Sequence, residues 1–498
     1  MHDIKRFKED ERIKRLLREA DAVGCFYVES PAMRMLLRKL QVDNYLGLVA
    51  ASSVIRPGVA QSGMMQEYIK RYRHPERKEG ISPTLYQLMP ETFGVMVYQE
   101  DVIKVAHYFA GLSLGEADKM RRGMSGKFRS REEFAEVKQK FFKNSVEIKG
   151  NSIELTQEVW RQTESFAGYA FAKGHSASYA VESYQCLFLK AYFPLEFLVA
   201  TVNNYGGFFS TELYVLEAKR LGANIESICV NKSLVETTIY GTTIFIGFHL
   251  LNSLESKTAR AIEKERLCNG EFVDFQDFVN RVKISLEQIA LLIRINAFRF
   301  TGKDKRELLW ESHMRVAPAK KISTEKELFS VSGREFEIPK LTSTAGENAF
   351  DELELLGFTL KPFFDLLSEP SKRSITLSKD LPVLNGQNVW VKGYLIHVKK
   401  TQTSNGQLMC FGCFIDTEGE WLDTVHFPNV MQQFPFRGKG VYEVYGKVVL
   451  EYDCVIIEAQ YLEKMGVIED PRYSITKISS QQVVTDNDRI DYWAKERK

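Results

Sequence analysis

The chain has 498 residues, of which 44% are hydrophobic and 27% charged, and a formal net charge of +2, a balance that argues against a disordered chain or a membrane-embedded one. At roughly 100–200 residues per domain this length makes about three or four domains. No run of about 18 apolar residues occurs, and the opening "MHDIKRFKEDERIKRLL" lacks the apolar centre of a signal peptide, so a cytoplasmic protein without a membrane partner is expected.

The first third reads as helices. In "SPAMRMLLRKL" Ser30 is a natural N-cap and Pro31 sits at N1, where its missing N–H costs nothing. Met33, Leu36, Leu37 and Leu40 recur at helical spacing and face inward, leaving Arg34 and Arg38 outside. A basic stretch, "KRYRHPERK" from Lys70 to Lys78, follows the turn-like "RPG" at Arg56 to Gly58. Ser113 and Glu116 stand in a capping-box relation, which sets the register of the next helix: Leu114, Ala117, Met120 and Met124 form one stripe. Arg121 borders that stripe and Arg122 points away from it, so the two arginines diverge. The "GMSGK" that follows would let the backbone approach a ligand closely.

From Lys119 to Lys149 ten Lys or Arg stand against four Glu, a local surplus that favours an anionic partner. In "FAGYAFAKGHSASYAVESYQ", Ser176 or Ser178 can cap a helix that runs on through Tyr184, Leu187, Phe188 and Ala191. Its N-terminus offers free N–H groups to a phosphate, with Lys173 and His175 beside it.

Further along, "TTIYGTTIFIGFHLL" reads as a β-hairpin leading into a helix, followed by two amphipathic helices in which Asp274 and Asp277 form a polar face. Residues 304 to 385 read as a loop-rich linker. From Gln387 to Lys464 five short alternating runs suggest a small barrel of the oligonucleotide-binding kind, with Trp390, Lys392, Tyr394 and Lys399 as candidate DNA contacts. The tail after Pro471 is polar and expected to be mobile. Seven cysteines without framework spacing read as reduced thiols; Cys410 and Cys413, a lone CxxC in an apolar run, read as core, and no metal cluster is expected.

The order "GCFYVES", "RPGVAQSGM", "GVMVYQEDVIKVAHYFAGLSLGEADKMRRGM", "FAGYAFAKGHSASYA" and "SYQCLFLKAYFPLEFL" resembles the C-terminal half of bacterial DNA polymerase III alpha subunits, the C-family polymerases, from near Ala22 to near Lys464. The resemblance implies a multidomain α+β protein: helical fingers over 1–223, a clamp-binding domain with a helix-hairpin-helix element over 224–303, a linker with a clamp peptide over 304–385, an OB-fold barrel over 386–465 and a tail over 466–498. It implies that Arg121, Arg122, Lys173 and His175 bind the triphosphate of an incoming dNTP. DNA primer-template is the expected partner of Arg56, Lys70, Arg71, Arg73, Lys127 and the barrel residues named above.

A sliding clamp is the partner implied by "EKELFS", where Glu325, Leu328 and Phe329 align with a Q-x-x-L/M-F peptide and the glutamine is replaced by an acid. Mg2+ is implied for the complete enzyme, on three palm aspartates for which no PDxDxDF-like stretch exists here, so this chain alone is expected to be inactive. In "LLNSLESK", Ser253 and Glu255 stand where the hairpin usually has glycines. Two other readings of the same residues are a non-catalytic DNA-binding or clamp-associated protein from a split or truncated gene, and a translesion paralogue.

Overall fold

The computed structural model describes residues 4–55, 63–76, 82–124, 131–164, 172–316, 341–403 and 405–473. These form two compact units, residues 1–193 with 451–454 and residues 194–450 with 455–498.

The first unit is helical: α1 (Glu11–Glu19), α2 (Pro31–Leu40), α3 (Tyr45–Val54), α4 (Met64–Arg73), α5 (Gln99–Lys104), α6 (Leu114–Met124), α7 (Arg131–Lys143), α8 (Ile153–Glu164) and α9 (Lys173–Tyr192). Helix α2 starts as its sequence dictates, with Ser30 Oγ accepting the Met33 N–H at 3.4 Å. Its apolar stripe is buried, but so is Arg34, at 2% exposure, against the expectation that it lies outside. The helix packs against α1, α3 and α4 at once, so its buried arc is wider than one stripe. Helix α6 carries the expected capping box: Ser113 N–H donates to Glu116 Oε2 at 2.9 Å and Glu116 N–H to Ser113 Oγ at 3.3 Å. Ala117 and Met120 are buried as the stripe requires, whereas Leu114, in the first turn, is 61% exposed.

Helix α9 begins at Lys173 with Ala172 in the N-cap position and no side-chain cap. Ser176 and Ser178, expected to cap it, lie inside the helix. Ser176 Oγ sits 2.6 Å from Ser53 Oγ in a buried contact with α3, and Ser178 Oγ donates to the Gly174 carbonyl at 3.1 Å.

The second unit opens with α10 (Pro194–Asn203) and α11 (Thr211–Arg220), which pack on a three-stranded sheet of β1 (Asn224–Glu226), β2 (Thr238–Tyr240) and β3 (Thr243–Phe245) in the order β1-β3-β2. The expected hairpin is the antiparallel β2–β3 pair, and β1 joins it in parallel. Helices α12 (Ser256–Asn269), α13 (Phe275–Arg281) and α14 (Leu286–Arg294) follow. Asp274 and Asp277 are a capping pair on α13, Asp274 accepting the Asp277 N–H at 2.8 Å and Asp277 accepting the Val273 N–H at 3.1 Å.

The stretch expected to be a loop-rich linker contains two helices, α15 (Lys305–Arg315) and α16 (Ala345–Leu355). They are held by ion pairs: Lys305 Nζ lies 2.6 Å from Asp351 Oδ2, with both side chains no more than 5% exposed. Arg472 is likewise fixed, donating to Asp351 and Glu354 at 2.8 and 2.7 Å, so the chain just after Pro471 is tied down rather than loose.

The last part is a closed barrel of β4 (Asn388–Gln402), β5 (Leu408–Ile415), β6 (Trp421–His426), β7 (Val441–Glu451) and β8 (Cys454–Lys464) in the order β4-β5-β6-β8-β7. A short helix, α17 (Pro428–Gln433), lies between the third and fourth strands. This is an OB-fold arrangement. Val391, Phe414, Tyr442, Val444 and Ile457 fill its interior. A Cβ on Gly446 would meet the Glu458 carbonyl at 2.4 Å, so β7 and β8 come together only over a glycine. Cys410 and Cys413 are buried in β5 and form no disulfide.

His426 is fully buried, its Nε2 2.8 Å from Thr424 Oγ1, and burial pushes its pKa down to about 4. A depressed imidazole is protonated first in the unfolded chain. The barrel therefore loses stability as pH falls from the ordinary histidine range toward 4, by about 2 kcal/mol at pH 5. A His426→Phe variant is expected to abolish that part of the pH dependence in denaturant titrations at pH 7 and pH 5; an unaltered slope would contradict the assignment.

Candidate functional site

Four residues expected to meet an anion, Arg121, Arg122, Lys173 and His175, belong to α6 and to the first turn of α9, and the segment Glu91–Glu100 ties the two helices together. Arg121 donates Nε and Nη2 to Asp118 Oδ1 at 3.0 and 2.8 Å and Nη1 to Gln99 Oε1 at 3.2 Å. Arg122 Nη2 pairs with the other oxygen of the same carboxylate at 2.9 Å. The two arginines thus converge, where divergence was expected, because Asp118 lies three and four residues before them and long side chains at those spacings meet. The Arg121 hydrogen bond holds the Asp118 carboxyl below its ordinary range.

The residue after Gln99 reaches α9. Both oxygens of Glu100 accept the Lys173 backbone N–H, at 3.1 and 3.0 Å, and the Lys173 ammonium pairs with Glu91 while standing 5.5 Å over the Tyr98 ring. The segment is rigid at this point because buried Asp101 accepts the N–H groups of Val97 and Tyr98 at 3.0 and 2.9 Å. His175 is exposed, its ring 4.2 Å from that of Tyr179. Arg121, Arg122 and Lys173 are matched here by the carboxylates of Asp118, Glu91 and Glu100. An open helix N-terminus attracts anions, and a glutamate has taken that place. Glu91 and Glu100, the partners of Lys173, lie 82 and 73 positions upstream, and no local pattern in the sequence announces them or Gln99.

Of the other expected DNA contacts, Lys70 is exposed and Arg73 half-buried on the last turn of α4. Arg71 is engaged internally, by Glu67 Oε1 at 2.8 Å and the Phe93 carbonyl at 2.8 Å. Arg56, Lys127, Glu325, Leu328 and Phe329 lie outside the described residues.

On the barrel, Tyr394 is covered: it is 4% exposed, stacks on Phe363 and donates its hydroxyl to Glu212 Oε1 at 2.8 Å. Trp390 is covered on one face by the Arg373 guanidinium, 3.8 Å from the ring centroid, and packs against Tyr445 and Tyr461. The indole is half-buried as a result. Lys392 is half-buried and Lys399 exposed. Phe208 and Phe209, in the α10–α11 connection, lie against His397 and Trp421 and cover part of the barrel's outer face.

The turn before α12 holds Ser253 at φ +66°, a conformation glycine adopts without steric cost. Gln288 fills this turn, accepting the Glu255 N–H at 2.7 Å and donating to the Ser253 carbonyl at 3.0 Å. The Glu255 amide is thereby already paired.

Among the described residues no group of three or more His, Cys, Asp or Glu side chains could hold a metal ion, and no helix is long and apolar enough to cross a membrane.

The first unit is helical with clustered cations, and the second carries a three-stranded sheet with its helices and an OB-fold barrel. Residues 2–149 match the family described as bacterial DNA polymerase III alpha subunit finger domain, and residues 222–308 match the helix-hairpin-helix motif. DNA polymerase III subunit alpha of Aquifex aeolicus (strain VF5) is 30% identical over 95% of this chain and 39% of its own length. The corresponding subunit of Staphylococcus aureus (strain MRSA252) is 27% identical over 97% of this chain and 45% of its own. An error-prone DNA polymerase of Corynebacterium glutamicum is 29% identical over 78% of this chain and 36% of its own. The chain is similar to bacterial DNA polymerase III alpha subunits along nearly all its length, and it spans 36–45% of the length of these relatives.

Proposed function

We propose that this chain supplies the nucleotide-binding and DNA-binding parts of a DNA-directed DNA polymerase acting in replication. The observation that carries the reading is the convergence of Arg121 and the α9 N-terminus on the adjacent residues Gln99 and Glu100. An incoming dNTP brings several negative charges that can replace those of Glu100 and Glu91. Its triphosphate then meets the Lys173 ammonium, the freed amide and the arginines, with His175 as an additional donor. Fixed cations and amides of this kind stabilise the charge that grows on the departing pyrophosphate. The protein works in the cytoplasm, where dNTP and DNA are found.

Mg2+ serves such a reaction on carboxylates contributed from outside these 498 residues. The chain alone, given Mg2+, primer-template and four dNTPs, is therefore expected to show no primer extension. Template-dependent extension by the purified chain would overturn this part of the reading.

DNA primer-template binds through Lys70, Arg73, Lys392 and Lys399, with Arg56 and Lys127 as further phosphate contacts, and a sliding clamp takes Leu328 and Phe329 with Glu325 in the place of a glutamine. Single-stranded DNA affinity should fall steeply with salt, since most contacts are to phosphate. Equal affinity at 50 and 200 mM salt, measured by fluorescence anisotropy, would contradict it.

A further inference from the structure

The "GCFYVES" loop ahead of α2 is built more firmly than a connection requires. Buried Glu29 accepts the Gly24 N–H at 2.7 Å, the Ser183 hydroxyl donates to the Phe26 carbonyl at 3.1 Å and the Tyr27 hydroxyl to the Ser52 carbonyl at 2.8 Å. Cys25 and Val28 are fully buried. Tyr27 holds φ +66°, a conformation uncommon for a bulky residue and one that persists only where its surroundings fix it. Strain of that kind collects at ligand sites.

What the loop presents is Phe26, which is 42% exposed between buried Cys25 and half-buried Tyr27. The ring stands edge-on to Tyr179 at 5.4 Å and 90°, and Tyr179 packs against Tyr27 at 5.2 Å and His175 at 4.2 Å. Tyr179 lies on α9 less than two turns from Lys173. A flat, exposed ring thus sits near the helix end where Lys173 and Glu100 meet.

A protein partner would call for a broad apolar patch, and this ring has the polar end of α9 next to it. A flat ligand with an anionic tail fits better. We infer that Phe26, buttressed by Tyr179, is a stacking platform for a nucleobase. This rests on the proposal that the α9 end takes phosphate. The base belongs either to the incoming nucleotide or to a DNA strand passing the same place.

Photocrosslinking separates the two sources. The 498-residue chain is irradiated with 5-iodo-dUTP in one arm and, in the other, with a single-stranded oligonucleotide carrying one 5-iodouracil, and the crosslinked peptides are mapped by mass spectrometry. A crosslink at Phe26 or Tyr179 is expected from at least one probe, and the probe that gives it identifies the base. Phe26→Ala should weaken binding of that probe by about 5- to 150-fold while Phe26→Trp retains it. Crosslinks confined to other sites, or an unchanged affinity in Phe26→Ala, overturn the platform. Lys173→Ala distinguishes its failure from that of the phosphate site: lost dNTP binding in Lys173→Ala with normal binding in Phe26→Ala leaves the phosphate site standing and removes the platform. Normal dNTP binding in Lys173→Ala removes the premise and the platform with it.

Discussion

A Lys173→Ala variant, in a polymerase containing this chain, is expected to lower kcat/KM for all four dNTPs alike, by roughly 10- to 1,000-fold if the lost donor is worth about 1.4–4 kcal/mol in the transition state. Base identity should not matter, because the ammonium meets phosphate only. Glu100→Gln should act in the opposite direction on affinity: its amide oxygen still accepts the Lys173 N–H, but the charge that competes with a triphosphate is gone. The two changes together separate an anion site from a capped helix end. Lys173 and Glu91 are 38% and 47% exposed, and a pair that exposed contributes only about 0–1 kcal/mol to folding. A large kinetic loss in Lys173→Ala with a nearly unchanged melting temperature is therefore the expected pattern. Normal kinetics for every dNTP would return Lys173 to the status of a surface cation.

The largest loss of stability is expected from Asp351→Ala. Its carboxylate, 3% exposed, accepts Lys305 Nζ at 2.6 Å, Arg294 Nε at 3.0 Å and Arg472 Nη1 at 2.8 Å. Removing it leaves one buried ammonium and two partly buried guanidiniums short of an anion, a change that costs about 3–5 kcal/mol where a buried pair is broken. At about 2–4 °C per kcal/mol for a unit of this size, the melting temperature should fall by roughly 6–20 °C. Lys372→Ala is the control: its partner Glu369 and Lys372 itself are 68% and 84% exposed, and the change should stay within about 0.5 kcal/mol. An Asp351→Ala chain that melts like Lys372→Ala would show that α15, α16 and the chain around Arg472 are held by something else.

The same ion pairs mark where the sequence could and could not be read. The barrel was legible because its strands alternate apolar and polar residues, and the α6 register because Ser113 and Glu116 are three residues apart. Both signals are local. Helices α15 and α16 escape a periodicity built on apolar residues because part of what anchors them is charge: Lys305, Asp351 and Glu347 are buried. The four cations of the candidate site were legible as charges beside a helix end. Their carboxylate partners were not, because Glu91 and Glu100 come to Lys173 only through the fold. Tyr394 shows the same limit from the other side: an aromatic residue on an outward strand position reads as exposed, but Glu212 and Phe363 cover it.

The most direct measurement is of the Lys173 backbone amide itself, followed by NMR in the 15N-lysine-labelled chain as dTTP is added. If the triphosphate displaces Glu100 from the α9 end, that resonance shifts along a saturating curve with the same Kd that calorimetry gives for dTTP, and Glu100→Gln lowers that Kd. A dTTP titration that saturates by calorimetry while the Lys173 amide stays in place would put the nucleotide elsewhere and contradict the site.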